Sequence, residues 1–463
     1  MAVPQTVDDR KGRGDFPTPP FLVELVVAHN LPRVGSGSPV RVLDPACGDG
    51  RFLVAAGRAL QAVGAEPDLH GIDIDAPSVG AATSALATAG LAGRIEHGDA
   101  LRRDWGASTY DVVLGNPPYL SQLATATRRG RRSDYGGGPY ADTAVEFLAL
   151  AVRLARPDGG RIALVLPQSV LASRDAGPVR AEVDRLAAMT WSWWSPQRVF
   201  DANVYVCALG FTRHAGGSDP MPTDWRRVVT SGLGVPDLPP LATSGSLGDR
   251  AALGADFRDQ YYGLVPAVVD ELDGYGAGPT PPLVTSGLVD PGRCWWGARP
   301  VTFARRRIER PRVRLDRLSP RMRRWADAQL VPKVLVANQT RVIEAVADPL
   351  GEWLPSVPLL TARPLDPSAV GAIAAVLTSP VASAWAWHRA AGTGLSATSL
   401  RLGPRWLAEL PWPAGSMEPA AAALGRGDVA GCGRLVMDAY RLDPSAPAAS
   451  ELLSWWTDRL PRR

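Results

Sequence analysis

The chain's 463 residues suffice for two or three domains of ordinary size, and a 46% hydrophobic fraction lets each bury a core. A net charge of +4 names no partner, and four widely spaced cysteines (Cys47, Cys207, Cys294 and Cys432) with no CxxC pair offer neither a zinc site nor a disulfide framework, so no metal is expected. No apolar signal core opens the chain and no run approaches the ~18 apolar residues of a membrane helix, so a soluble, cytoplasmic protein without a membrane partner is expected.

FPTPPFLVELVVAHNL (16–31) predicts a proline-primed helix with an apolar face. SPVRVLDPACGDGRFLVAAGRAL (38–60) reads as strand, glycine turn and helix, and LHGIDIDAPSVGAATSALATAG (69–90) repeats the pattern. RIEHGDAL (94–101) is a further short strand and turn, and DVVLGNPPYL (111–120) is a strand that stops abruptly. A helix is expected over 141–155, a buried strand within GGRIALVLPQSVLA (159–172), and a late strand of the same sheet in VYVCALGFT (204–212). Strands alternating with helices at this pace predict an α/β fold with a doubly wound, mostly parallel sheet. Residues 215–244, rich in Gly, Pro, Ser and Asp, read as a linker-like tail to a first domain spanning 1–244. From 245 to 463 the rhythm is lost, and a second, mixed α/β domain is expected. The tryptophan-rich stretches WSWW (191–194) and SAWAW (383–387) are expected in cores or between domains rather than as stacking platforms.

Three successive strands end in an acid. Asp44 precedes a turn containing Gly48 and Gly50, Asp73 and Asp75 end the second strand, and Asp99 ends the third. In open α/β sheets ligands bind beyond these strand ends. The turn lacks the third glycine of the dinucleotide fingerprint. Three acids so placed suit a nucleoside, with ribose hydroxyls held at Asp73 and an adenine amino group at Asp99. Asp75, followed by Ala-Pro-Ser, reads better as a helix cap. Cys47 has no histidine nearby and reads as a packing residue rather than a nucleophile.

The fourth strand runs into Gly115, Asn116, Pro117, Pro118 and Tyr119. Prolines cannot continue a sheet ladder, and they stiffen the turn. The turn therefore presents one amide and one ring in a fixed geometry.

FPTPPFL, LDPACGDGRFL, GIDID, GDAL and GNPPY, in that order, resemble the gamma-class N6-adenine DNA methyltransferases of the TaqI type. The resemblance covers residues 14–212 and continues more faintly through VFDANVYVCALGF, LVPKVLVANQTRVIEAVAD and GTGLSATSLRLGPRWLAELPWP. It implies a class I fold that binds S-adenosylmethionine in residues 1–244 and a C-terminal domain, 245–463, that recognises double-stranded DNA. It places Thr18 at the cofactor's carboxylate, and Asp44, Ala46 and Gly48 around its methionine part. Asp73 would hold the ribose, Ile74 would pack on the adenine, and Asp99, Ala100 and Pro118 would line the adenine pocket. Asn116, Pro117 and Tyr119 would meet the target base, with Phe200 on the base's other face, although the residues around Phe200 depart from the family's usual run. An adenine amino nitrogen is a poor nucleophile because its lone pair is delocalised into the ring. Two acceptors, the Asn116 amide oxygen and the Pro117 carbonyl, would localise that lone pair for attack on a methyl group. The base must leave the duplex to reach them.

Two basic stretches fit a DNA partner. TRRGRRSDYGGGPY (127–140) carries Arg128, Arg129, Arg131 and Arg132, with a plain solvated loop as the alternative. Residues 299–324 hold eleven arginines against Glu309 and Asp316, and the run Arg305, Arg306, Arg307 lies within them. Only two lysines occur, Lys11 and Lys333, and neither sits in a nuclease motif, so any restriction activity is expected in another protein. The expected activity is site-specific adenine methylation in a restriction-modification or phage-defence system. The alternatives are a partner-dependent subunit of a defence complex and a methyltransferase of RNA or of protein glutamine.

Overall fold

The computed structural model describes residues 17–107, 109–119, 133–139, 141–200, 204–215, 223–255, 258–274, 279–394 and 396–461. The chain forms two compact units, Met1–Val229 and Thr230–Arg463.

The first unit is built on a seven-stranded sheet. Its elements in chain order are α1 (Pro20–Asn30), β1 (Pro39–Asp44), α2 (Arg51–Ala62), β2 (Glu66–Asp73), α3 (Ala76–Thr88), β3 (Gly93–His97), β4 (Val112–Gly115), α4 (Thr143–Leu154), β5 (Arg161–Pro167), α5 (Gly177–Leu186), β6 (Ala187–Trp194) and β7 (Val206–Arg213). The sheet order is β3-β2-β1-β4-β5-β7-β6, parallel from β3 to β5, with β7 antiparallel to both its neighbours. All of β4 and nearly all of β5 are buried, as expected for the centre of a sheet covered on both faces. Helix α4 hides nine side chains and is capped by Asp142, whose carboxylate accepts the Ala144 N–H at 3.0 Å. Strand order reverses between β1 and β4. That crevice is where this sheet type binds ligands.

β6, the WSWW segment, is an edge strand of this sheet. Trp191 stacks on His29 of α1, and Trp193 meets Phe21 edge-on. The linker-like tail carries structure of its own, including the helical turn Arg227–Gly232. Trp225 in that tail is buried, meets the Phe211 ring of β7 at 5.2 Å with the planes tilted by 39°, and donates its indole N–H to Asp184 at 2.8 Å.

The second unit contains a four-stranded antiparallel sheet in the order Glu344–Asp348, Lys333–Ala337, Leu360–Pro364 and Ala251–Ala255. Helices Val370–Leu377 and Pro380–Ala390 are largely buried, Trp385 and Trp387 included. No single helix among the described residues is long and apolar enough to cross a membrane. Those two helices pass such a test only as a pair bent by 69°. Short hairpins occupy 289–294 and 301–308, the strand Pro311–Val313 pairs with Val268–Asp270, and Leu288, Val289, Val301, Phe303, Ile308 and Val313 pack in one core with Leu335 of the sheet.

Candidate active site

Strands β1, β2 and β4 deliver Asp44, Asp73 and Gly115 to one edge of the sheet. The turn after β1 is tied to β2 by two bonds. The Gly48 N–H donates to Asp73 Oδ2 at 2.8 Å, and the Cys47 N–H donates to the Ile72 carbonyl at 3.1 Å. Gly48 has φ 52°, and a Cβ there would meet nothing within 4 Å, so its backbone faces open space. Asp73 Oδ1 accepts the Asp75 N–H at 2.9 Å. Both carboxylate oxygens are thus fixed, yet each keeps a lone pair for a hydroxyl. Ile74, next to Asp73, is 68% exposed. An isoleucine left bare beside a strand-end acid offers an apolar face to a flat ring.

Asp44 is buried, and its Oδ1 accepts the Ala46 N–H at 3.1 Å. Burial pushes its carboxyl up to about 8, against the pull of the Ala46 N–H and with help from the negative charges of Asp73 and Asp49. Across from it lies Gly115, at φ 149°, where a Cβ would fall 2.4 Å from Asp44 Oδ1. Glycine is therefore required where β4 ends: the carboxylate occupies the space of a side chain.

Asn116 follows directly. The Tyr119 hydroxyl donates to Asn116 Oδ1 and also reaches the Val165 carbonyl of β5 at 3.3 Å. These bonds orient the amide over the end of the sheet. The Tyr119 ring meets Phe200 edge-on, with centroids 6.2 Å apart and planes at 62°. A base stacked between two parallel rings needs them about 7 Å apart, twice a ~3.5 Å contact. One ring must turn to admit it.

The third acid, Asp99, accepts the Leu101 N–H at 3.0 Å, and Arg102 stands 3.4 Å from its other oxygen. The loop around buried Ala100 is held by Trp105, whose indole N–H donates to the Ala100 carbonyl at 2.9 Å. The Tyr135 hydroxyl holds the Leu101 carbonyl at 3.0 Å. Thr18 is buried beside α1, and its carbonyl accepts a bond from Arg51. Arg51 is in turn gripped by Asp49, so it joins the start of α1 to the glycine turn. Its position directly after Gly-Asp-Gly was the only sequence cue to that role.

Asp75 caps α3, accepting the Ser78 N–H at 3.2 Å. Cys47 is buried, and burial raises its thiol pKa, as suits a packing residue. Pro117 is buried and Pro118 half-buried. Arg128, Arg129, Arg131 and Arg132 lie outside the described residues. Arg305, Arg306 and Arg307 are exposed on the hairpin formed by Val301–Phe303 and Arg306–Ile308 in the second unit. Its turn residues Ala304 and Arg305 both have positive φ, 49° and 63°, a two-residue turn usually reserved for Asn-Gly.

Residues 5–183 match the family described as N-6 DNA Methylase. The chain is 29% identical over 207 residues to the type II methyltransferase M.TthHB8I of Thermus thermophilus, covering 40% of this chain and 41% of that protein. It is 34% identical over 112 residues to the ribosomal RNA small subunit methyltransferase C of Alcanivorax borkumensis, covering 24% and 30%. The chain thus spans less than half the length of these curated relatives. Among solved structures, a modification subunit of a putative type I restriction enzyme from Vibrio vulnificus aligns at 24% identity, TM-score 0.35, over 47% of this chain and 51% of that one. The stretch of the first unit that carries its glycine turn, strand-end acids and Asn-Pro-Pro-Tyr turn is the stretch that matches the N-6 DNA Methylase family, and it is built on a mostly parallel α/β sheet.

Proposed function

We propose that the protein transfers the methyl group of S-adenosylmethionine to the N6 nitrogen of an adenine flipped out of double-stranded DNA, at a specific site, within a restriction-modification or phage-defence system. The carrying observation is the turn that sets the Asn116 amide at the end of β4, held by the Tyr119 hydroxyl and directly after Gly115, whose backbone abuts the Asp44 carboxylate. In this reading residues 1–244 bind cofactor and carry out catalysis, and residues 245–463 recognise the target, with Arg305, Arg306 and Arg307 on the DNA backbone.

The residues fit the cofactor. Open space over Gly48 suits its methionine part, fixed Asp73 suits ribose hydroxyls, and bare Ile74 suits its adenine. When bound it supplies an electrophilic methyl whose leaving group is a neutral thioether. Asn116 Oδ1 and the Pro117 carbonyl then each accept one N–H of the target amino group and stabilise the positive charge that develops on it. Tyr119 and Phe200 hold the base plane; stacking of this kind is worth ~1–3 kcal/mol per base.

The raised carboxyl of Asp44 predicts a proton balance. Below about pH 8 the ligand-free site holds a proton at Asp44. The cofactor's positive charge favours the ionised form, so binding should release a proton at pH 7 and tighten from pH 6 to 7.5. Calorimetry in buffers of different ionisation enthalpy checks this, and Asp44→Asn should abolish the release. Linkage sets a second sign: the folded carboxyl titrates above the unfolded one, so its stabilising contribution is present below about pH 4 and fades as pH rises toward 8.

A second reading, methylation of RNA, is favoured by the 34% identity to a ribosomal RNA methyltransferase. Incubation with labelled S-adenosylmethionine and equal amounts of duplex DNA or RNA of one sequence separates the two. Label retained on DNA is expected; label on RNA alone would overturn the DNA reading.

A further inference from the structure

The hairpin of Val289–Asp290 and Arg293–Cys294 is closed by Pro291 and Gly292. The Gly292 N–H donates to the Ala345 carbonyl at 2.8 Å, and the Trp295 N–H donates to the Leu288 carbonyl at 2.8 Å, so the tip and the exit of the hairpin are both fixed. Trp295 is half-buried against the hairpin core. Its indole N–H donates to Asp290 Oδ2 at 2.6 Å, and Arg299 grips both oxygens of that carboxylate at 3.2 and 3.1 Å. The guanidinium carbons of Arg293 and Arg299 lie 3.5 and 4.3 Å from the Trp295 ring centre. Both guanidinium groups thus pack on the one indole.

The two arginines are not equivalent. Arg299 is neutralised by Asp290. Arg293 is exposed, and among the described residues no hydrogen bond or ion pair engages its guanidinium. Other arginines stacked on tryptophan differ in this respect. Arg103 binds Glu96, Arg312 binds Glu271, Arg389 binds Glu409, and Arg459 donates to the Leu233 carbonyl. Stacking on an indole leaves only the rim of the guanidinium for donation, and it presets the plane of that rim. A phosphate accepts from many directions and gains little from a preset plane. The major-groove edge of guanine presents two coplanar acceptors, O6 and N7, and gains most from one.

We propose that Arg293 reads a guanine in the recognised duplex, with Trp295 and the Asp290–Arg299 pair as its fixed support; this rests on the DNA reading above. The test is a binding selection of the full-length protein on a random-sequence duplex pool, beside Arg293→Ala and Arg293→Lys, with salt dependence measured on one selected duplex. Preference for guanine at one position should fall about tenfold or more in Arg293→Ala. Lysine should not restore it, because a point charge lacks the planar fork. The melting temperature should stay at the wild-type value, since the side chain is exposed. Uniform weakening across sequences, with a salt slope lower by about one, would make Arg293 a phosphate contact and overturn the assignment. Unchanged preferences would overturn it too. Wild-type protein that retains no duplex at all would overturn the DNA reading itself, and this assignment with it.

Discussion

Asn116→Ala is expected to lower the methyl-transfer rate about 10²–10³-fold, the usual cost of removing one preorganised group from a developing charge. Cofactor and DNA affinity should stay close to wild type, because in the proposed function the amide meets only the target amino group. The loss should therefore fall in kcat, with KM for both substrates little changed. Asn116→Asp keeps an acceptor in place and should retain more activity than alanine. Asn116→Gln keeps the amide but moves its oxygen by about one bond length, and a misplacement on the order of 1 Å costs about 10²-fold. The ordering Asp above Gln and Ala, read from single-turnover rates, separates an acceptor role from a merely structural one. Tyr119→Phe removes the hydroxyl that orients Asn116 Oδ1 and keeps the ring. It should lower the rate less than Asn116→Ala does.

Lys333→Met is expected to cost about 3–5 kcal/mol and to lower the melting temperature of the second unit by on the order of 10 °C. Lys333 is fully buried, and its Nζ donates to Asp348 Oδ2 at 2.6 Å. Asp348 also accepts the Glu352 and Trp353 N–H groups, both at 3.0 Å, so it ties the end of one strand to the following turn. Methionine fills the space of the lysine stem and leaves the buried carboxylate without its counter-charge. Adding Asp348→Asn removes that charge and keeps an oxygen for the backbone donors. Most of the loss should then return. A double variant as unstable as the single one would show that packing, not charge, sets the cost. Thermal unfolding of the three variants, followed by calorimetry, decides between these.

The site was more legible in the sequence than the second unit, for physical reasons. β1, β2 and β4 each end in a buried stretch followed by residues of sharply different chemistry: Asp44, Asp73, and the Gly115-Asn116 pair. Such transitions are local and survive without tertiary information. The cap at Asp75 was legible for the same reason, since Asp-Ala-Pro-Ser carries its own hydrogen-bond pattern. The contact between Gly115 and Asp44 joins two strands adjacent only in space, and no periodicity announces it. The swap that places β7 between β5 and β6 depends on pairing direction, which side-chain alternation does not encode. β6 was hidden by its tryptophans: WSWW reads as core or interdomain packing, yet it forms a sheet edge, where Trp191 and Trp193 meet His29 and Phe21 of α1. In the second unit many strands are two or three residues long, such as Val289–Asp290 and Arg293–Cys294, too short to show alternation. Lys333 sat inside the apolar run LVPKVLVA, and nothing before the fold distinguished it from a surface lysine. Arginine density between 299 and 324 marked the hairpin region but not Arg293, which lies just outside it and is singled out only by the ring beneath it.

The most direct measurement is the identity of the methylated nucleoside. Purified protein, S-adenosylmethionine and unmethylated duplex DNA would be incubated, the DNA digested, and the nucleosides resolved by mass spectrometry beside the Asn116→Ala variant. N6-methyl-2′-deoxyadenosine that depends on Asn116 is the predicted result. A methylated cytosine, or no product from protein that binds both cofactor and duplex, would contradict the account.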